Sequence, residues 1–293
     1  MDNNIIVGIG EVLWDVFPDR KVPGGAPANF AYHISQFGYE GHVVSAVGRD
    51  ELGDDLLAGY RSKGLRCMIE QTVHPTGTVQ ITLSGDGIPQ YEICRDTAWD
   101  NIPFTAHTAA LARRARAACF GSLAQRSGVS RATIRRFLAA MPADSLRIFD
   151  INLRQSFYCE SLVRESLDAA DMLKINDEEI VVLGTMLGIA GSEERVCRTL
   201  IDRFGLRVLV LTKGAVGSYV FTPGETSYLP TPRVEVADTV GAGDSFTAAF
   251  TAAYLRGAPV AEAHRLAVEV SAYVCSQYGA MPALDARYRN LFS

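Results

Sequence analysis

Six short β-rich apolar runs recur in this chain, and several are apolar at consecutive positions rather than only at every second one: Ile5-Ile-Val-Gly-Ile9, His42-Val-Val-Ser-Ala-Val47, Ala118-Cys-Phe-Gly121, Leu146-Arg-Ile-Phe-Asp-Ile151, Met172-Leu-Lys-Ile175 and Arg207-Val-Leu-Val-Leu-Thr212. A strand with water on one face alternates, whereas a strand covered by helices on both faces has no reason to. Stretches with helical spacing separate many of these runs, over 26–37, 52–63, 131–141, 162–170 and 193–204. Alternation of buried strand and helix predicts an α/β fold built on a mainly parallel sheet.

Two stretches break the alternation. Val12-Leu-Trp-Asp-Val-Phe17 runs into a Pro/Gly-rich turn, and Gly77-Thr-Val-Gln-Ile-Thr-Leu83 is joined through Gly85-Asp-Gly87 to Gln90-Tyr-Glu-Ile-Cys94 in the pattern of a β-hairpin. Together, as segments of about 12–24 and 77–100, they are expected to form a small sheet lying as a lid over one end of a single domain spanning 1–293; extension of the main sheet is the competing reading. A lid of this kind would keep water from a site beneath it. An exposed apolar face on it would suit a homodimer.

Composition narrows the function. A net charge of −5 over 293 residues, without like-charge blocks, is no footprint for nucleic acid or for an anionic membrane. The first residues lack a basic and an apolar region, and no apolar run is long enough to span a bilayer, so a cytoplasmic location is expected. The six cysteines stand singly, which suits reduced thiols, and the histidines do not cluster with them as a zinc site would require.

The strongest chemical signal is Asp238-Thr-Val-Gly-Ala-Gly-Asp244. Phe246, Ala249, Phe250, Ala253 and Tyr254 follow at helical spacing, with Gly257 and Pro259 as a stop, so Asp244 opens a helix. The amides of Gly241, Ala242 and Gly243 would then be first-turn donors without partners, a seat for a phosphoryl group. A carboxylate there could take the proton from a hydroxyl attacking phosphorus. An ordinary turn with Asp as helix cap is the alternative.

This motif resembles the C-terminal signature of the ribokinase-like (PfkB) carbohydrate kinases. Gly24-Gly-Ala-Pro-Ala-Asn-Phe-Ala31, leading through Phe37-Gly38 to Ala46-Val-Gly-Arg-Asp-Glu-Leu-Gly53, resembles the N-terminal signature of the same family. Two motifs in the right order at opposite ends of a chain are far more specific than either alone. The resemblance implies a three-layer αβα sandwich with a mainly parallel central sheet and a small β-sheet lid. It also implies ATP and Mg2+ as cofactors and a small-molecule sugar as substrate.

In the family, residues matching Asp15 and Asn29 hold the sugar. Gly25 permits close backbone approach, and Asp15 can accept from two adjacent hydroxyls, with a solvated edge-strand carboxylate as the bland alternative. Because ligands gather at the carboxyl ends of parallel strands, Asp150-Ile-Asn152-Leu-Arg154, Asn176-Asp-Glu-Glu179 and Thr212-Lys-Gly-Ala-Val-Gly217 are expected to face one edge. Arg154 is a candidate charge for phosphate or sugar, with an ordinary surface arginine as the alternative. The pair Asn176 and Glu179 resembles the family's N-x-x-E motif, in which the glutamate organises Mg2+ and water; a plain acidic helix start would look the same. Thr212, Gly214 and Gly217 resemble the nucleotide-binding turn. Asp238, with carbonyls near Val240 and Gly279, would form a monovalent-cation loop for K+, or simply brace the turn.

The Ala-Pro-Ala between Gly25 and Asn29, together with Gly10-Glu-Val-Leu-Trp-Asp15-Val-Phe-Pro18, is most similar to bacterial fructokinases. Fructose is therefore the expected acceptor, phosphorylated at a primary hydroxyl, with Arg95 and Trp99 as further sugar contacts. Kinases for 2-keto-3-deoxygluconate, ribose or a nucleoside are the alternatives. A non-catalytic sugar- or nucleotide-binding regulator on the same fold is the competing class.

Overall fold

The computed structural model describes residues 4–83 and 89–289. Its strands are β1 (Ile5–Ile9), β2 (Leu13–Val16), β3 (Lys21–Gly24), β4 (Glu40–Gly48), β5 (Arg66–Thr72), β6 (Gly77–Leu83), β7 (Pro89–Ile93), β8 (Ala115–Phe120), β9 (Leu146–Asp150), β10 (Met172–Asn176), β11 (Val208–Thr212), β12 (Gly217–Phe221) and β13 (Thr226–Pro230). Its helices are α1 (Ala26–Ser35), α2 (Glu51–Ser62), α3 (Ala106–Ala112), α4 (Gly128–Ala140), α5 (Glu160–Asp168), α6 (Asp177–Leu187), α7 (Glu193–Phe204), α8 (Ala242–Leu255), α9 (Val260–Cys275) and the short α10 (Ala286–Arg289).

All six apolar runs become neighbouring strands of one sheet, ordered β13-β12-β11-β10-β9-β8-β1-β4-β5. From β11 to β5 the pairing is parallel, while β12 and β13 close one edge antiparallel. Consecutive side chains explain the sequence pattern. Leu209 and Leu211 enter one apolar cluster with α4 to α7, while Val208 and Val210 enter the other with α1, α8 and α9. Both faces of the sheet are thus dry, which gives the expected three layers.

The sequence reading missed β5, β12 and β13. The last alternates in exposure along Thr226–Pro230, and β5 is mostly half-buried, so neither carries the continuous apolar run of an interior strand.

The irregular stretches form a separate four-stranded sheet, ordered β3-β2-β6-β7, rather than an extension of the first. The pairing of β6 with β7 is the expected hairpin, and its turn at Gly85-Asp-Gly87 lies outside the described residues. Register puts Leu13, Asp15, Val22, Val79 and Ile93 on one face, and Leu13, Val79, Ile81 and Ile93 pack into the main core. The other face of the hairpin carries Thr78, Gln80, Thr82, Gln90 and Glu92 and is polar among the described residues, while on the same face of β2 Trp14 is buried against α2.

The small sheet also ends sooner than expected. After Ile93 the chain turns back into the core, where Trp99 is fully buried beneath the Arg126 guanidinium at 4.1 Å. Trp99 therefore holds the root of this sheet and does not face a sugar.

Candidate active site

Strand order reverses at β1: the chain adds β4 and β5 on one side, then returns to place β8 on the other. A crevice opens at the carboxyl ends of the strands at such a switch point. Glu11 after β1, Gly121 after β8 and Asp150 at the end of β9 line it, together with Asp244 at the start of α8 and Pro27 at the start of α1.

Asp244 is the third residue of α8, whose cap, Gly241, sits at φ 79°. That left-handed conformation, and the Ala280 carbonyl 2.7 Å from where a Cβ would lie, restrict the position to glycine. Behind it, the buried imidazole of His33 meets the Ala280 carbonyl at 2.9 Å, and burial holds His33 down at about 4, neutral at ordinary pH. Its Nε2–H is therefore the donor.

Among the described residues the N–H groups of Gly241 and Gly243 make no backbone hydrogen bond, as expected of an anion seat. Ala242 corrects the expectation: its N–H turns back to the Thr239 carbonyl at 3.3 Å. Asp238 accepts from the amides of Val240 at 3.0 Å and Gly279 at 3.1 Å, which is the turn-bracing arrangement.

The two sequence motifs meet directly. Asn29 Nδ2 donates to Asp244 Oδ2 at 2.7 Å, although 215 positions separate them. Asn29 lies in the first turn of α1 because Gly25, at φ 121°, caps that helix and packs against the Glu11 carbonyl. Its Oδ1 is buried with no partner among the described residues. Burial, then the nearby Asp150 carboxylate, push Asp244 up to about 6, against the pull of Asn29, Lys174 and Arg154. Beneath the turn, Lys174 Nζ pairs with Asp150 Oδ1 at 3.0 Å, and Thr247 of α8 donates to Asp150 Oδ2 at 3.2 Å. Burial alone would pull Lys174 down, but Asp150, Glu179 and Asp244 outweigh it and hold the ammonium above its ordinary value.

Asp15 stands on the inner face of an interior strand of the small sheet, which removes the edge-strand alternative. Burial raises its pKa and Arg154 opposes the rise; the same guanidinium acts on Glu11 and Asp244. Glu11 and Asp244 line the crevice, and the exposed Arg154 guanidinium is the positive charge that acts on both and on Asp15. Arg154 follows β9 in a tight loop where Asn152 and Gln155 adopt φ 43° and 48°. Arg95 is not brought to this group: it is exposed and stacks on Phe157 at 4.9 Å.

Farther along the sheet, parallel register sets Asn176 beside Thr212. Gly214 and Gly217 lie in and after the turn from β11 to β12, closed by Lys213 N–H on the Gly217 carbonyl at 2.8 Å. Asn176 and Glu179 form a reciprocal capping box. Glu179 is buried, and its two oxygens accept from Leu153 N–H at 2.8 Å and Asn176 N–H at 3.0 Å. No cluster of three or more carboxylate, imidazole or thiol groups able to hold a metal exists among the described residues. This donor set fits a cation carried by a ligand's phosphates and water rather than one caged by protein.

Sequence reasoning placed Asp150 at a ligand-facing strand end without a role and passed over Glu11, Lys174 and His33. A lone lysine within Met172-Leu-Lys-Ile175 was the available sign of a buried, paired cation, because an interior strand admits lysine only with a partner. Among the described residues no helix is long and apolar enough to cross a membrane.

Residues 9–287 match the pfkB family of carbohydrate kinases. Fructokinase-2 of Zea mays is 31% identical over 266 residues, covering 83% of this chain and 78% of the relative, and Fructokinase-2 of Oryza sativa is 30% identical with 83% and 77% covered. The solved structure of an uncharacterized sugar kinase from Pyrococcus horikoshii in complex with ATP superposes with a TM-score of 0.79, at 25% identity over 94% of each chain. With both motifs joined at Asn29 and Asp244 and the family match spanning nearly the whole sequence, this chain belongs to the pfkB carbohydrate kinases.

Proposed function

We propose that this kinase transfers the γ-phosphoryl group of ATP to a primary hydroxyl of fructose. The observation that carries the reading is Asp244 at the start of α8, fixed by Asn29 at 2.7 Å beside the Gly241 and Gly243 amides. The fructokinases of maize and rice named above support fructose, and the ATP complex of the Pyrococcus horikoshii kinase supports ATP.

In this reading Asp15, the free Oδ1 of Asn29 and Arg154 orient the sugar. Asp244 accepts the proton of the attacking hydroxyl as its oxygen bonds to phosphorus and the bond to ADP breaks. Charge on the transferring oxygens faces the two free amides. Asn176, Thr212, Gly214 and Gly217 hold the nucleotide along the neighbouring strand ends. Mg2+ on the phosphates would neutralise charge, with Glu179 reaching it through water. K+ would rely on backbone carbonyls of the 238–241 loop, since both Asp238 oxygens already brace it. Arg95 keeps a sugar role only if Phe157 releases it. A dimer through the small sheet would use its strand edges, and size-exclusion chromatography tests it.

The reading is tested by ADP release with ATP and Mg2+ across fructose, ribose, 2-keto-3-deoxygluconate and nucleosides, with Asp244→Asn alongside. Turnover of fructose foremost, lost in the variant, is the expected result. Another preferred sugar changes the substrate; no turnover on the whole panel would favour a binding protein.

A further inference from the structure

Glu11 is buried to 3% exposure, one residue beyond Gly10, which bends the chain at φ 150° after β1. Its Oε2 finds no hydrogen-bond partner among the described residues. The other buried glutamate near the strand ends is held differently: Glu179, at 5% exposure, has a backbone amide on each oxygen. A buried carboxylate oxygen left without a donor costs stability, so its retention calls for a reason. The reason lies in what it faces. Glu11, Asp150, Asn152 and Asp244 line a cavity of about 10 Å³, enough for one water molecule.

We infer that Glu11 is a positioning residue of the phosphoryl-transfer site, facing Asp244 across this one-water cavity and setting how readily Asp244 holds a proton. The inference rests on Asp244 being the base. Asp244 Oδ2 is already held by Asn29, so the cavity side is where a second group can act on it.

The groups around Glu11 define the coupling. Its own backbone N–H, then Arg154 beyond β9, favour its charged form; Asp244 of α8 and Asp150 of β9 oppose it. Tyr60 of α2 and Cys119 of β8 also face it, and burial raises both of those groups, so neither adds charge near neutrality. Lys174 of β10 stands behind Asp150. Burial above all pushes Glu11 up to about 7, just above Asp244 at about 6. Two carboxyls that line one small cavity and oppose each other's ionisation lose their protons in two steps that belong to the pair. Near pH 6 to 7 a neutral Glu11 can donate into the cavity while Asp244 ionises. At higher pH an ionised Glu11 makes Asp244 a stronger base.

The test is kcat/KM against pH from 5 to 9 for wild type, Glu11→Gln, Glu11→Asp and Asp244→Asn, on the sugar that is turned over. Wild type should rise with a limb wider than one ionisation. Glu11→Gln, neutral at every pH, should rise as a single ionisation at lower pH and lose activity a few-fold at pH 8, with the KM for ATP unchanged. Glu11→Asp should restore the wide limb. A Glu11→Gln profile that superposes on wild type, with Asp244→Asn inactive, overturns the role of Glu11 and leaves the base standing. Wild-type turnover in Asp244→Asn overturns both. Should Glu11→Gln not unfold cooperatively, a wild-type limb of single-ionisation width is by itself enough to reject the coupling.

Discussion

In the floor of the crevice, α8 is buried from Ser245 to Ala253, its alanines letting α1 and α9 approach closely, and Asp244 is tied to a helix from the other end of the chain. In the sheet that faces it, the hairpin β6–β7 is dry on one side only: Val79, Ile81 and Ile93 are buried, while Gln80, Thr82 and Glu92 look outward. The floor is held by packing from every direction, and the hairpin of the small sheet by a single apolar face and the root at Trp99, with Trp14 of β2 anchored separately against α2. Groups that must meet phosphorus within a few tenths of an ångström belong on the first; groups that select and enclose a sugar can sit on the second.

The comparison is broken most severely at Asp244. Asp244→Asn should lower kcat about 10²–10⁴-fold, the usual worth of a general base, with ATP binding by calorimetry retained. Wild-type kcat/KM should also fall as pH drops through about 6, where Asp244 takes up a proton. The same raised value has a stability cost of opposite sense. The folded state binds this proton more tightly than the unfolded chain, so stability is lost as pH rises from the ordinary carboxylate range through about 6. Asp244→Asn should accordingly show a higher Tm than wild type at pH 8, read by calorimetry.

Next in size is Trp99→Ala. Removing a fully buried indole under Gly77 and Arg126 should cost about 3–5 kcal/mol in denaturant unfolding. Because this root carries the small sheet, the sugar KM should rise more than the KM for ATP; an equal rise in both would mean that the two regions are not separable.

Asp15→Asn should raise the sugar KM about 10–100-fold, the loss of a charge-assisted hydrogen bond, with the KM for ATP little changed. Last comes Gln80→Ser on the outward face, which should alter stability by less than about 0.5 kcal/mol and leave both KM values in place. A larger effect in the purified protein would reveal a contact on that face, such as the dimer.

Legibility in the sequence followed the same division. The interior strands announced themselves, since an element dry on both faces must be apolar at every position. β13 did not, because its exposure alternates along an edge strand of the sheet, although its partner β12 is the strand just before it in the chain. Asp244 was legible from its glycines and the helix behind them, and Asn29 from the cluster before it. Glu11 was printed in the same motif as Asp15 without a sign of its role, and Trp99 looked like a sugar contact because aromatic residues near a hairpin serve either purpose.

The sequence by itself determined the α/β fold class, the family and the identity of the carboxylate at the head of α8, because periodicity and glycine-dependent turns are local properties of the chain. Only the tertiary structure decided that Asn29 holds Asp244, that both Glu179 oxygens are already occupied by amides, that Trp99 belongs to the core and that Glu11 keeps an oxygen without a partner. Those facts depend on which groups from distant segments exclude water from one another, and desolvation and hydrogen-bond pairing are fixed by three-dimensional neighbours rather than by position along the chain.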